Sequence, residues 1–89
     1  MKTHPGRRGD LVAAFEDMFP VATAEPGTVA YVLVEADDDP DTLYIYEQFT
    51  DQDGYDAHMG SEALAAFHTK LADLLVDGAA QSGTVVRSI

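Results

Sequence analysis

Cysteine is absent from this chain of 89 residues, which removes disulfides, thiolate metal sites and thiol nucleophiles together. Basic residues are scarce: five Lys and Arg stand against sixteen Asp and Glu, a formal charge of -11. A field of that sign repels phosphate backbones and anionic lipid, so neither nucleic acid nor membrane is expected as a partner through charge. Long apolar runs are missing as well. None approaches the length that crosses a bilayer, and no charged-then-apolar leader opens the chain, so cytoplasmic residence is the default expectation. Internal repeats and low-complexity tracts do not occur. The three histidines are scattered without H-x-x-x-H or H-E-x-x-H spacing, so no metal site is expected. The glycines form no phosphate-binding loop.

What is present suits a single globular domain over residues 1–89, since a second domain would be too small to bury a core. A chain of this size hides roughly 60–65 % of its unfolded surface, and such domains often enlarge their core by pairing with a copy of themselves. The apolar share of 46 % is ordinary, and the acid surplus reads first as solubility.

In "RRGDLVAAFEDMFPVA", Leu11, Val12, Phe15, Met18, Phe19 and Ala22 fall on one helical stripe. Pro20 is expected to end or kink that helix, and "EPG" at 25–27 to form a turn. "TVAYVLVEA" and "TLYIYEQFT" read as strands joined through the hydrophilic turn "DDDPD". Alternation in the second strand places Leu43, Ile45, Glu47 and Phe49 on one face and Tyr44, Tyr46 and Gln48 on the other. Both faces are largely apolar, which predicts cover on both sides: helices on one, a second protomer on the other. The carboxylates of "DQDGYDAHMG" suit the start of a short helix, and Ser61 can cap the next one. That helix is expected to carry Leu64, Phe67, Leu71, Leu74 and Leu75 and to close at Gly78, with "SGTVVRSI" forming a last short strand.

The order α-β-β-α-β is a split β-α-β fold whose first strand is short or missing. Either "MKTH" serves as a short edge or central piece, or the natural start lies upstream; an upstream start, or a shortened variant of the fold, is the expectation.

"PGRRGDL", "EPG", "YIYEQF" and "DAHMGSEALAAF" stand in the order seen in the antibiotic biosynthesis monooxygenase domain family, and the chain resembles its small quinol monooxygenase-like members from about Pro5 to Ile89. The resemblance implies a ferredoxin-like α+β fold with an antiparallel sheet, two copies forming a dimeric α+β barrel, and a pocket between sheet and helices. It implies oxidation of electron-rich phenols, anthrones or quinols by molecular oxygen, with no cofactor. Relatives also include haem-degrading enzymes and an isomerase of a phosphorylated sugar derivative, so membership leaves the reaction open. Two departures stand out. Phe49 replaces the tryptophan usual in "EQF", which removes an indole N–H, and the first strand that supplies a polar pocket residue in some relatives is reduced here.

His58, where many relatives keep a histidine, is the candidate base: an imidazole can take a phenolic proton near neutral pH. Its alternative is a structural histidine bonded to a nearby backbone or carboxylate group. Glu47, a carboxylate on an apolar face, must be paired, hydrogen-bonded or protonated. It either orients His58 or a substrate hydroxyl, or serves as a structural acceptor. Phe49 and Ile45 are expected as pocket wall, Tyr55 shares a helix side with His58, and Tyr31 fits either pocket or interface. Tyr44 and Tyr46 belong to the interface face. His68 is expected to be partly buried with a satisfied nitrogen, and His4 to be solvated. Arg7 and Arg8 could hold a phosphate, although pairing with the surplus carboxylates is the commoner fate.

The expected activity is therefore a cofactor-independent monooxygenase acting on a small aromatic phenol or quinol. The alternatives are a non-catalytic dimeric small-molecule-binding or stress-associated protein, or a haem-degrading or isomerase relative.

Overall fold

The computed structural model describes Met1 to Ile89. Its elements run β1 (Lys2–Thr3), α1 (Arg8–Phe15), α2 (Met18–Ala24), β2 (Thr28–Glu35), β3 (Leu43–Phe49), α3 (Gln52–Met59), α4 (Glu62–Leu71) and β4 (Leu75–Asp77). This is the ferredoxin-like α+β arrangement.

The hairpin of β2 and β3 is rich in β-branched and aromatic residues that fit a pleated surface. Its antiparallel register sets Tyr31 against Glu47 and Leu33 against Ile45 on one face, with Val32 against Tyr46 and Val34 against Tyr44 on the other. The connection is knotted by Asp39, whose carboxylate accepts from the Asp41 N–H and the Thr42 hydroxyl, each at 2.9 Å. Those bonds, the backbone one foremost, hold the Asp39 carboxyl below the ordinary carboxylate range.

The stub "MKTH" is the short central piece. Leu43 N–H donates to the Met1 carbonyl at 2.9 Å, and the Met1 amino group returns a bond to the Leu43 carbonyl at 2.8 Å. On its other side β1 pairs antiparallel with β4, Lys2 facing Asp77 and Thr3 facing Leu75. A bridge between Lys2 and Thr42 joins the two ladders, giving the spatial order β2-β3-β1-β4.

Two expectations need correction. The last helix ends at Leu71, not near Gly78, and Leu75 lies in β4. "SGTVVRSI" forms no strand; residues 78–89 are exposed and carry no regular secondary structure. The run Leu74-Leu75-Val76 satisfies helical spacing and a short strand equally, a known ambiguity of brief apolar runs. Pairing with the free side of β1 decides for the strand.

The stripe of the first helix is also divided. α1 stops at Phe15 and α2 restarts at Met18, so Pro20 sits in the first turn of α2, where its missing N–H has no helical partner to lose. The stripe nevertheless stays continuous. Leu11, Phe15, Met18, Leu43, Leu64, Phe67, Leu71 and Leu74 form one buried cluster, with Val12 and Phe19 packed against it, and the rings of Phe15 and Phe67 meet edge-on at 4.7 Å. Asp51 and Ser61 cap α3 and α4 by accepting from Gly54 N–H at 2.8 Å and Leu64 N–H at 3.2 Å.

All this packing covers one face of the hairpin. The other is open: Tyr44 and Tyr46 are 55 % and 51 % exposed, Val32 and Val34 46 % and 43 %.

Candidate functional site

α3 starts against the turn that precedes β2. Gly54, in its first turn, packs on Gly27 so closely that a Cβ on Gly27 would lie 2.6 Å from the Gly54 Cα. His58 stands one turn further along the same side of α3 and is thereby brought over Glu25, the residue that ends α2. The Glu25 carboxylate is seated on its own turn, since Oε1 accepts from the Thr28 hydroxyl at 3.1 Å and the Glu25 carbonyl accepts from Thr28 N–H at 3.2 Å.

The imidazole of His58 is wholly enclosed, with 0 % of its side chain exposed. Nδ1 lies 2.8 Å from Glu25 Oε1. Nε2, on the opposite edge of the ring, is 3.7 Å from Glu47 Oε1, beyond hydrogen-bond reach, and has no other partner. Aromatic rings complete the enclosure. Phe49 lies 5.2 Å and Tyr31 6.0 Å from the imidazole, centroid to centroid. Tyr55 stacks edge-on against Phe49 at 5.6 Å.

Burial and charge reinforce one another here. Desolvation, first, raises the Glu47 pKa above the ordinary range for a glutamate; the neighbouring Glu25 pushes the same way, and His58 and His68 pull it partly back. The Tyr31 phenol is pushed up to about 12 by burial and by the facing charges of Glu47 and Glu25, so it remains a neutral hydroxyl at physiological pH.

His58, Glu47, Phe49, Tyr55 and Tyr31 thus converge, and Tyr31 belongs to the enclosed side and not to the open face. Ile45, one pleat from Glu47, packs against the core cluster. His68 is exposed, contrary to the expected partial burial, because the apolar stripe of α4 runs through Leu64, Phe67 and Leu71 and leaves position 68 outside it. His4 is exposed. Arg7 pairs with Asp10; Arg8 pairs with Glu35 at 2.7 Å and donates to the carbonyls of Ala36 and Asp39. Both arginines are therefore already engaged.

Side chains occupy the hollow expected beside His58. Two open depressions flank the cluster without reaching the imidazole. One is bordered by Phe19, Ala22, Thr28 and Tyr31, the other by Glu25, Gly27, Asp51, Gly54 and Ala57. No group of His, Asp and Glu side chains is arranged to hold a metal ion, and no helix is long and apolar enough to cross a membrane.

The family model for antibiotic biosynthesis monooxygenase matches residues 1–70, the span that contains β1 through nearly all of α4 and every residue of the cluster. The chain belongs to the antibiotic biosynthesis monooxygenase family. Among solved structures it is similar to PA3566 from Pseudomonas aeruginosa, with 23 % identity over 86 % of this chain and 78 % of that one and a TM-score of 0.76, a likeness of fold. It is similar also to NE2512 from Nitrosomonas europaea, a protein of unknown function, with 26 % identity over 96 % and 89 % of the two chains and a TM-score of 0.75. No curated protein matches the chain.

Within this family member, Glu25 is the residue that sequence reasoning missed. It lies 33 positions from His58 in a motif read only as a turn. The available signal was a carboxylate directly at a helix end, where the unpaired carbonyls of the last turn disfavour negative charge. Such a residue needs a partner from elsewhere.

Proposed function

We propose that this family member is a single-domain, homodimeric monooxygenase that oxidises a small phenol or quinol with molecular oxygen, with His58 as the base. The observation that carries the reading is a buried imidazole with one nitrogen tied to a carboxylate and the other without a partner, inside a ring of aromatic side chains. A phenolic substrate displaces side chains that enclose the imidazole and packs against Phe49, Ile45, Tyr55 and Tyr31, so that its hydroxyl meets Nε2. Proton transfer to Nε2 yields the phenolate, from which oxygen draws electrons. One oxygen atom enters the ring as a carbonyl and the other leaves as water, so phenol and dioxygen become quinone and water with every electron supplied by the substrate. Glu47, with its raised proton affinity, accepts or returns the second proton. The chain's part is to position the ring, exclude water and move protons.

Oxygen uptake with a panel of reduced quinones and simple phenols tests this. Turnover by the wild type that falls about a hundredfold in His58→Ala is expected for loss of a general base; equal rates remove His58 from the chemistry.

The complete enclosure of His58 favours a second reading, a dimeric small-molecule-binding protein without catalysis in which the imidazole is structural. Ligands that raise the melting temperature while none of them is turned over would favour it over the first.

The homodimer would use the open face of the hairpin, where Tyr44, Tyr46, Val32 and Val34 offer apolar surface with polar tips.

A further inference from the structure

We infer that Glu25 is a positioning residue for His58: its carboxylate accepts from Nδ1–H, holds the imidazole in the tautomer whose Nε2 carries the lone pair, and turns that atom toward Glu47. The inference rests on the proposed role of His58 as base and names what makes the ring a competent one.

The two nitrogens of a neutral imidazole cannot both be acceptors, and which one is bare follows from the bond made by the other. Here the choice is one-sided. Nδ1 has a carboxylate oxygen at 2.8 Å, while Nε2 has no partner within hydrogen-bond distance. Solvent cannot compensate, because the side chain is fully enclosed. The carboxylate is itself held still by the Thr28 hydroxyl, and the Gly27–Gly54 contact fixes the distance between the turn and α3.

An orphaned buried nitrogen is unfavourable and uncommon in native proteins. A purely structural histidine joining α2 to α3 would gain by giving its bare nitrogen a donor, or by taking a second proton and donating it to Glu47 Oε1, which stands only 3.7 Å away. The ring does not close that gap. Such an arrangement leaves Nε2 free to receive a proton from a hydroxyl that reaches it. The titratable groups facing the ring are Glu25 from the end of α2, Glu47 from β3 and Tyr31 from β2, with His68 acting on Glu47 from α4.

Long-range proton–nitrogen correlation spectra of the 15N-labelled full chain at neutral pH read the tautomer directly. The wild type is expected to show His58 protonated at Nδ1 and bare at Nε2. In Glu25→Ala the proton is expected to move to Nε2. Glu25→Leu, of similar size and with no acceptor oxygen, is the second variant should the first fail to fold, and it is expected to show a new Nε2–H signal. A wild-type ring protonated at Nε2 or at both nitrogens, or an unchanged spectrum in whichever variant folds, overturns the inference. With a quinol that the wild type turns over, the Glu25 variant should lose about tenfold or more in kcat, with KM nearly unchanged and a displaced pH profile. A shifted tautomer with undiminished kcat also overturns it. Absence of wild-type turnover would sink the oxygenase reading instead, and the spectra would still decide what Glu25 does to the ring.

Discussion

Gly27 and Gly54 touch backbone to backbone. A Cβ added to Gly27 would stand 2.6 Å from the Gly54 Cα, and one added to Gly54 would stand 2.9 Å from the Gly27 carbonyl oxygen. The same carbonyl accepts from Thr50 N–H at 2.9 Å, so it is not free to yield. The contact sets how closely the turn that carries Glu25 approaches the start of α3, one turn before His58. Gly27→Ala should therefore lower stability by about 1–3 kcal/mol, the usual cost of forcing atoms into a filled space. It should also loosen the Glu25–His58 bond. Urea unfolding measures the first effect, and the His58 ring signals the second.

Arg8 holds the β2–β3 connection to the start of α1. Its guanidinium donates to the Ala36 and Asp39 carbonyls at 3.0 and 2.9 Å and pairs with Glu35. Arg8→Ala should lower stability by about 1.5–3 kcal/mol, the range for lost bonds to a charged group. Arg8→Lys should recover only part of that, because one ammonium cannot span the same set of acceptors. Denaturant midpoints of the two variants check both statements.

Glu47 makes stability depend on pH with a definite sign. Its folded pKa lies above the unfolded value, chiefly through burial. The folded state thus holds the proton more tightly, and this contribution is complete at acid pH and lost as pH rises through the folded pKa. Glu47→Gln abolishes that titration. Its melting temperature should exceed that of the wild type at neutral pH, and the gap should close below the ordinary carboxylate range. A gap that widens on acidification would mean that the ionised carboxylate is the stabilising form.

Val32 and Tyr46 face each other in register on the uncovered side of the hairpin. Replacing both by Asp should leave the fold intact, since neither side chain enters the core, while abolishing association of two copies. Light scattering should report twice the chain mass for the wild type and a single chain for the double variant. A wild type that is already a single chain would remove the homodimer.

A good part of the fold was legible in the sequence because it rests on local physics. Alternation along Leu43–Phe49 divides an enclosed face from an open one, whatever the chain does elsewhere. Asp51 and Ser61 begin helices because their side-chain oxygens reach amide groups three residues on. The stripe from Leu11 to Ala22 is a matter of helical period. Four of the five residues named for the site on β3 and α3, His58, Glu47, Phe49 and Tyr55, do meet there, while Ile45 packs with the core.

What only the tertiary structure decided lies in contacts between distant segments. Lys2 and Thr3 acquire a strand because β3 and β4 present free hydrogen-bonding edges on either side of them. Leu75 leaves the helical pattern because β1 offers it a partner. Glu25 meets His58 through the close approach of two glycines, which no local periodicity encodes. Local preferences act over a turn or a pleat. The bond that sets the state of the imidazole joins positions 25 and 58, and it exists only after α2 and α3 have been packed on the same face of one sheet.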